Sequence, residues 1–276
     1  MKNNYKILIL IVLILIVIIL FEIIHNLNNK DFNFKIYFFN AGKADAILIS
    51  NNNKYIMIDT GESSLSNEIL TYFKNNDITK LEYLIITHFD KDHVGSASSV
   101  IDNLDIENIL QSNYLKESEY YTNYLNSLDN KSITPITVSG DYNISLDNLE
   151  IVVNGPTTIY DSNESNNSSL IVSINYKDKN FLFMGDSQNA RIKEFLENNN
   201  ETYDFLKVPY HGHYLKRLEE VLNTKNIKYA VITSSDKEQE DLETIELLNK
   251  YNIKYYLTRR GSITMYSDGK DISIKQ

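Results

Sequence analysis

The segment Thr87-His88-Phe89-Asp90-Lys91-Asp92-His93-Val94-Gly95 places two imidazoles and two carboxylates within six residues. It follows directly on an apolar run, LEYLIIT (81–87), that reads as a buried strand. A loop at the carboxyl end of such a strand can turn alternate side chains toward one point, as a bound cation requires. His88 and Asp90 form an i, i+2 pair, while Asp92 and His93 face a neighbouring position. This nitrogen and oxygen donor set suits one or two divalent cations with open positions. The chain has no cysteine, which excludes thiolate ligation, a cysteine nucleophile, a disulfide scaffold and a lipidated cysteine anchor. It has five histidines: His25, His88, His93, His211 and His213. Two later segments, each an ordinary turn on its own, offer the missing ligands together. One is Gly185-Asp186 after a strand-like run; the other is Leu206-Lys207-Val208-Pro209-Tyr210-His211-Gly212-His213.

The elements that must position these groups are short and strand-rich. Strands are predicted at 34–40, 46–50, 55–59, 81–87, 149–153, 169–176, 180–185, 205–208, 229–234 and 254–258. SITMY (262–266) and DISIK (271–275) read as closing edge strands. Helices are predicted near 66–74, 188–198, 215–224 and 240–251, which together imply a layered α/β domain. NESNNSS (163–169) reads as a solvated loop. The 276 residues carry a net charge of −10, and 42% are hydrophobic, too many for disorder.

Residues 7–21 are an unbroken apolar run preceded by Lys2 and Lys6. Residues 5–24 would span about 30 Å as a helix, the thickness of a hydrocarbon core. Residues 1–25 are therefore expected to be a membrane anchor or signal segment, with 26–33 a linker and 34–276 the folded domain. No small-residue cleavage site follows, which favours an uncleaved single-pass anchor over a secreted form. The basic residues ahead of the span place the domain outside the cytoplasm. Without Lys2, Lys6 and Glu22, the remaining 25 basic and 36 acidic residues give −11, which disfavours nonspecific nucleic-acid binding through a basic face.

THFDKDHVG, with IMIDTG (56–61) before it and MGD and LKVPYHG after it, resembles the metallo-β-lactamase superfamily. It is most similar to the extracellular metallo-hydrolase domain of ComEC-type DNA-uptake proteins and to secreted phosphorylcholine esterases. FFNAGKADAILI (38–49), with Asp45 in register, 166–186 and YYLTRRGSITM (255–265) extend the resemblance over about 34–275. The resemblance implies a four-layer αββα sandwich. It implies a first cation on His88 and Asp90, a second on Asp92, His93 and His211, and Asp186 bridging both. Asp59 would brace the ligand loop. Three departures stand out. No histidine lies between 93 and 211 to act as the superfamily's middle ligand, leaving Asn167 or Ser168 as substitutes. Tyr210 stands where the relatives have a first histidine, with His213 a rival ligand or proton donor. The His-Pro that follows in relatives is missing from SSDKEQED (234–241).

The expected activity is hydrolysis by water activated on one or two divalent cations, zinc by default and manganese as the alternative. Asp92, Tyr210 and His213 are the expected catalytic groups, and Lys207 is a candidate transition-state donor. A phosphodiester, in DNA or a choline-phosphate ester, is the expected substrate by family analogy. The rivals are a lactone or β-lactam hydrolase and a noncatalytic, membrane-tethered binding module.

Overall fold

The computed structural model describes residues 33–161 and 164–276, together with Val12, Ile14, Leu15, Ile16 and Ile19. Those five are helical and about half exposed. Most of the expected anchor and linker lies outside the described residues. Among the described residues no helix is long and apolar enough to cross a membrane.

The central strands are apolar on both faces because each is covered on both. In β2 (Ala46–Asn51), Ile47 and Ile49 face one core while Ala46 and Leu48 face another. In β3 (Lys54–Thr60), Ile56 and Ile58 alternate with Met57 in the same way. With β1 (Phe34–Phe38), β4 (Lys80–Ile86), β5 (Asp105–Ser112) and β6 (Ile136–Val138) they form most of an eight-stranded sheet. Its order is β15-β14-β1-β2-β3-β4-β5-β6, where β14 is Ile263–Ser267 and β15 is Ile272–Lys275. The seven-stranded sheet runs β13-β12-β11-β10-β9-β8-β7. Its members are β7 (Gly140–Leu146), β8 (Leu149–Gly155), β9 (Ile171–Tyr176), β10 (Lys179–Phe183), β11 (Phe205–Lys207), β12 (Tyr229–Ile232) and β13 (Lys254–Leu257).

The inner faces meet in one core, in which Phe205 packs against Phe38, Phe181 and Phe183. Helices α1 (Ser66–Asn75), α2 (Lys91–Val94), α3 (Ala97–Asn103) and α4 (Glu119–Asn130) cover the outer face of the first sheet. Helices α5 (Asn189–Asn198), α6 (Leu218–Thr224) and α7 (Leu242–Lys250) cover the second. The result is the expected αββα order of layers.

Three expectations need correction. β14 is not an edge strand: it pairs with β1 on one side and β15 on the other. The stretch 95–148 holds β5–β7, α3 and α4, none of which the sequence reading assigned. Residues 165–169 are not a solvated loop. Ser165, Asn167, Ser168 and Ser169 are buried, because Ser112 Oγ donates to the Ser168 carbonyl (2.7 Å) and Arg191 Nε to the Ser169 carbonyl (3.0 Å).

Truncating Phe205, which is fully buried between the two sheets, removes packing that neighbours on both sides cannot refill. Phe205→Ala is expected to lower the unfolding free energy by about 3–5 kcal/mol, measured by urea denaturation.

Candidate metal centre

Parallel pairing of β3 with β4, of β10 with β11 and of β11 with β12 sends successive chains out of the same sheet end. Every candidate ligand leaves from one of those ends. Asp59, the penultimate residue of β3, is held at φ 53°, a left-handed conformation that an ordinary L residue adopts only at a cost. Its carboxylate accepts from Thr87 N (2.7 Å) and Thr87 Oγ1 (2.6 Å), and from Nδ1 of His93 (2.7 Å). The bond from Nδ1 fixes the His93 tautomer and leaves Nε2 free to ligate. Asp59 thus braces the loop, as the resemblance implied. After His88 the chain turns into α2, with His93 N donating to the Asp90 carbonyl (3.0 Å). Gly95 ends that turn against the backbone of Gly61 and Ser63, where a Cβ would come within 2.7 Å. Gly185, at φ 50°, makes the sharp exit from β10 that delivers Asp186.

Asp92, His93, Asp186 and His211 converge, with one ligand atom of each within 4.8 Å of all the others. Asp186 Oδ1 lies 3.3 Å from His93 Nε2, and Asp186 Oδ2 lies 3.1 Å from His211 Nε2. Asp92 Oδ2 is 3.4 Å from the same His211 nitrogen. A tetrahedral cation with ligands at about 2.0–2.1 Å separates them by about 3.3 Å, so these ion-pair spacings are compatible with a shared cation. His93 Nε2, His211 Nε2 and Asp186 Oδ1 are buried and make no hydrogen bond. Buried polar atoms are rarely left unsatisfied, and three aimed at one point fit a divalent cation.

A further ring of contacts orients the ligands. His211 Nδ1 donates to the Thr233 carbonyl (3.0 Å), which can only accept, so Nε2 is the free nitrogen here too. Thr233 Oγ1 donates to Asp45 (2.6 Å), and Asp45 pairs with the fully buried Lys207. Lys207 Nζ also donates to the Gly185 carbonyl (3.1 Å). Lys207 is therefore a brace beneath the centre, and its expected role as a donor to substrate is corrected. Tyr210 and His211 both take left-handed backbone conformations, φ 52° and 51°, to bring the His211 ring inward.

The expected first-cation residues are arranged differently. His88 Nε2 is 4.0 Å from Asp90 Oδ2 and is also without a hydrogen bond. Asp90 is engaged by Lys116 Nζ (2.5 Å) and by Ser165 Oγ (3.1 Å). Neither proposed substitute for the middle histidine turns toward the centre. Asn167 Oδ1 accepts from Arg191 N (3.3 Å), and Ser168 Oγ donates to the Ser165 carbonyl (2.5 Å). His213 lies outside the cluster, with Nδ1 3.4 Å from Asp241 and its ring against Tyr210. Lys116, Ser165 and Thr233 were not singled out from sequence, since isolated Lys, Ser and Thr carry no spacing signal.

Burial alone would make the two cluster imidazoles hard to protonate, but neighbouring carboxylates outweigh it. Asp186 and Asp59 hold His93 well above the usual histidine range, and Asp186 and Asp92 raise His211 to about 9. Conversely, despite burial, His211 and His93 hold Asp186 well below the carboxylate range, and His211 does the same for Asp92. Burial and the neighbouring His93 push His88 down. In the metal-free protein, then, His93 and His211 are protonated at neutral pH. The raised value of His211 contributes stability that is complete below about pH 6.5 and lost as the pH climbs through about 9, and the raised value of His93 acts in the same direction. The metal-free Tm is expected to fall between pH 6.5 and 9, whereas cation affinity rises. Calorimetric titration at pH 7.5 in buffers of different ionisation enthalpy is expected to record about two protons released per cation.

A family model described as "Metallo-beta-lactamase superfamily" matches residues 40–234. Recombination protein 2 of Haemophilus influenzae is 26% identical over 202 residues, covering 70% of this chain but 23% of the relative. The chain thus spans under a quarter of that protein's length, and the match supports the resemblance to DNA-uptake proteins. Among solved structures, the metallo-beta-lactamase fold protein YhfI from Bacillus subtilis superposes with a TM-score of 0.57 at 10% identity. That match covers 88% of this chain and all of YhfI. Igni18, a metallo hydrolase from Ignicoccus hospitalis, gives 0.55 at 16% identity, covering 85% of this chain and all of Igni18. Likeness at these identities speaks for the fold alone. With 40–234 matched and the αββα layers in place, the chain belongs to the metallo-beta-lactamase superfamily.

Proposed function

We propose that this chain is a divalent-cation-dependent phosphodiesterase, tethered to the membrane through residues 5–24 with its domain outside the cytoplasm. The observation that carries the reading is the convergence of His93 Nε2, His211 Nε2 and Asp186 Oδ1, buried and without hydrogen bonds, beside Asp92. Asp92, His93, Asp186 and His211 would hold the cation, zinc or manganese. When bound, a divalent cation supplies Lewis acidity and lowers the pKa of water toward about 7.

The chain's own residues do the rest. Asp92 is the most exposed member of the cluster, its side chain 19% accessible, which supports a role in orienting the attacking water. Tyr210 offers a phenol at the rim. His213, steadied by Asp241, can pass a proton to a departing oxygen. A phosphodiester is preferred over a lactone or β-lactam by family analogy, because the HxDxDH pattern (88–93) and the Tyr210-His211-Gly212 ending fit the latter less well. Recombination protein 2 is named for a process whose substrate is a polynucleotide, which supports DNA as one candidate; a choline-phosphate ester is the other.

The test is an assay panel of DNA, small phosphodiesters, a phosphocholine ester and a β-lactam. Phosphodiester cleavage is expected, and both a chelator and Asp186→Ala are expected to reduce it to background. Activity indifferent to both would sink the reading, and inactivity on every substrate would leave a binding module. Protease added to intact cells is expected to remove the domain; a spared domain would reverse the topology.

A further inference from the structure

We infer that the centre is built for one divalent cation, and that the ammonium group of Lys116 supplies the positive charge a second would bring. The inference rests on reading Asp92, His93, Asp186 and His211 as the ligands of the first. Lys116 Nζ lies 2.5 Å from Asp90 Oδ1 and 3.5 Å from Ser165 Oγ, while Ser165 Oγ donates to Asp90 Oδ2 (3.1 Å). Both oxygens of Asp90 are thus engaged by protein groups. His88, 4.0 Å from Asp90, belongs to no convergent set of three ligands among the described residues.

The lysine is positioned rather than incidental. Its loop is anchored at one end by Ser112, whose Oγ donates to the Ser168 carbonyl (2.7 Å). At the other end Ser118 caps α4, its Oγ accepting from Tyr121 N (3.2 Å), and the Tyr121 ring packs on Phe89 at 4.4 Å. Phe89 sits between His88 and Asp90, so the same packing sets both partners of the ion pair. Ser165, in the buried 165–169 segment, supplies a hydroxyl that supports Asp90.

Charge points the same way. Among the carboxylates around the centre, Asp45 is already paired with Lys207 and Asp90 with Lys116. A second cation would compete for an already occupied carboxylate.

The experiment counts zinc(II) bound to the full chain purified in detergent, by isothermal titration and by elemental analysis after dialysis. Wild type is expected to bind one equivalent. Lys116→Met frees Asp90 beside His88 and Asp186 and is expected to bind close to two. Asp90→Asn, which removes the charge that pairs with the lysine and leaves the four ligands of the centre untouched, is expected to stay at one. Two equivalents in wild type, one in Lys116→Met, or loss of the cation in Asp90→Asn would each overturn the proposal. No zinc in any form would overturn the metal centre itself. Because Asp90→Asn and wild type are read independently, a misfolded Lys116→Met leaves the proposal open to refutation.

Discussion

Asp186 is 3% exposed and lies between two imidazole nitrogens, one on each carboxylate oxygen. A carboxylate so far from water needs compensating charge, and every nearby group can be understood from that need. In the metal-free protein the compensation comes from protons on His93 and His211; in the loaded protein a cation takes their place. Asp59, Thr233 and the Asp45–Lys207 pair hold the rings and backbone whichever state is present.

The fold meets the same constraint at larger scale. Ligands come from the ends of β4, β10 and β11, on two different sheets, and one backbone bond joins the sheets there, from Leu170 N to the Thr87 carbonyl (2.9 Å). Within each sheet the loops are tied by Asp45 N donating to the Asp92 carbonyl (3.0 Å) and Tyr210 N to that of Gly185 (3.2 Å). The phenylalanine-rich core between the sheets keeps those ends in register. Three of the eleven left-handed non-glycine residues among the described residues, Asp59, Tyr210 and His211, lie at this centre.

Much of this was legible in the sequence because the signals were dense. Double-sided apolar strands such as YIMID and LEYLIIT are hard to mistake, and four ligand types in six residues mark a site. The stretch 95–148 was opaque for physical reasons. β5 begins with exposed Asp105 and Glu107, and α4 is built from Tyr, Asn, Ser and Thr, whose intrinsic helix propensity is modest. α4 exists because Tyr121, Tyr124 and Leu128 pack beneath it and Ser118 caps it. The same opacity hid Lys116, which matters only through its spatial approach to Asp90, 26 residues earlier. The buried 165–169 segment misled for a similar reason: its polar residues are satisfied by backbone groups rather than by water.

The central claim is that His93 and His211, with Asp92 and Asp186, form the shell of a bound cation. X-ray absorption at the zinc edge of the loaded chain tests this directly, because imidazole rings leave a multiple-scattering signature. Two imidazoles per zinc at about 2.0–2.1 Å, alongside oxygen donors, is the result this structure leads us to expect. An oxygen-only shell without imidazole scattering would contradict it.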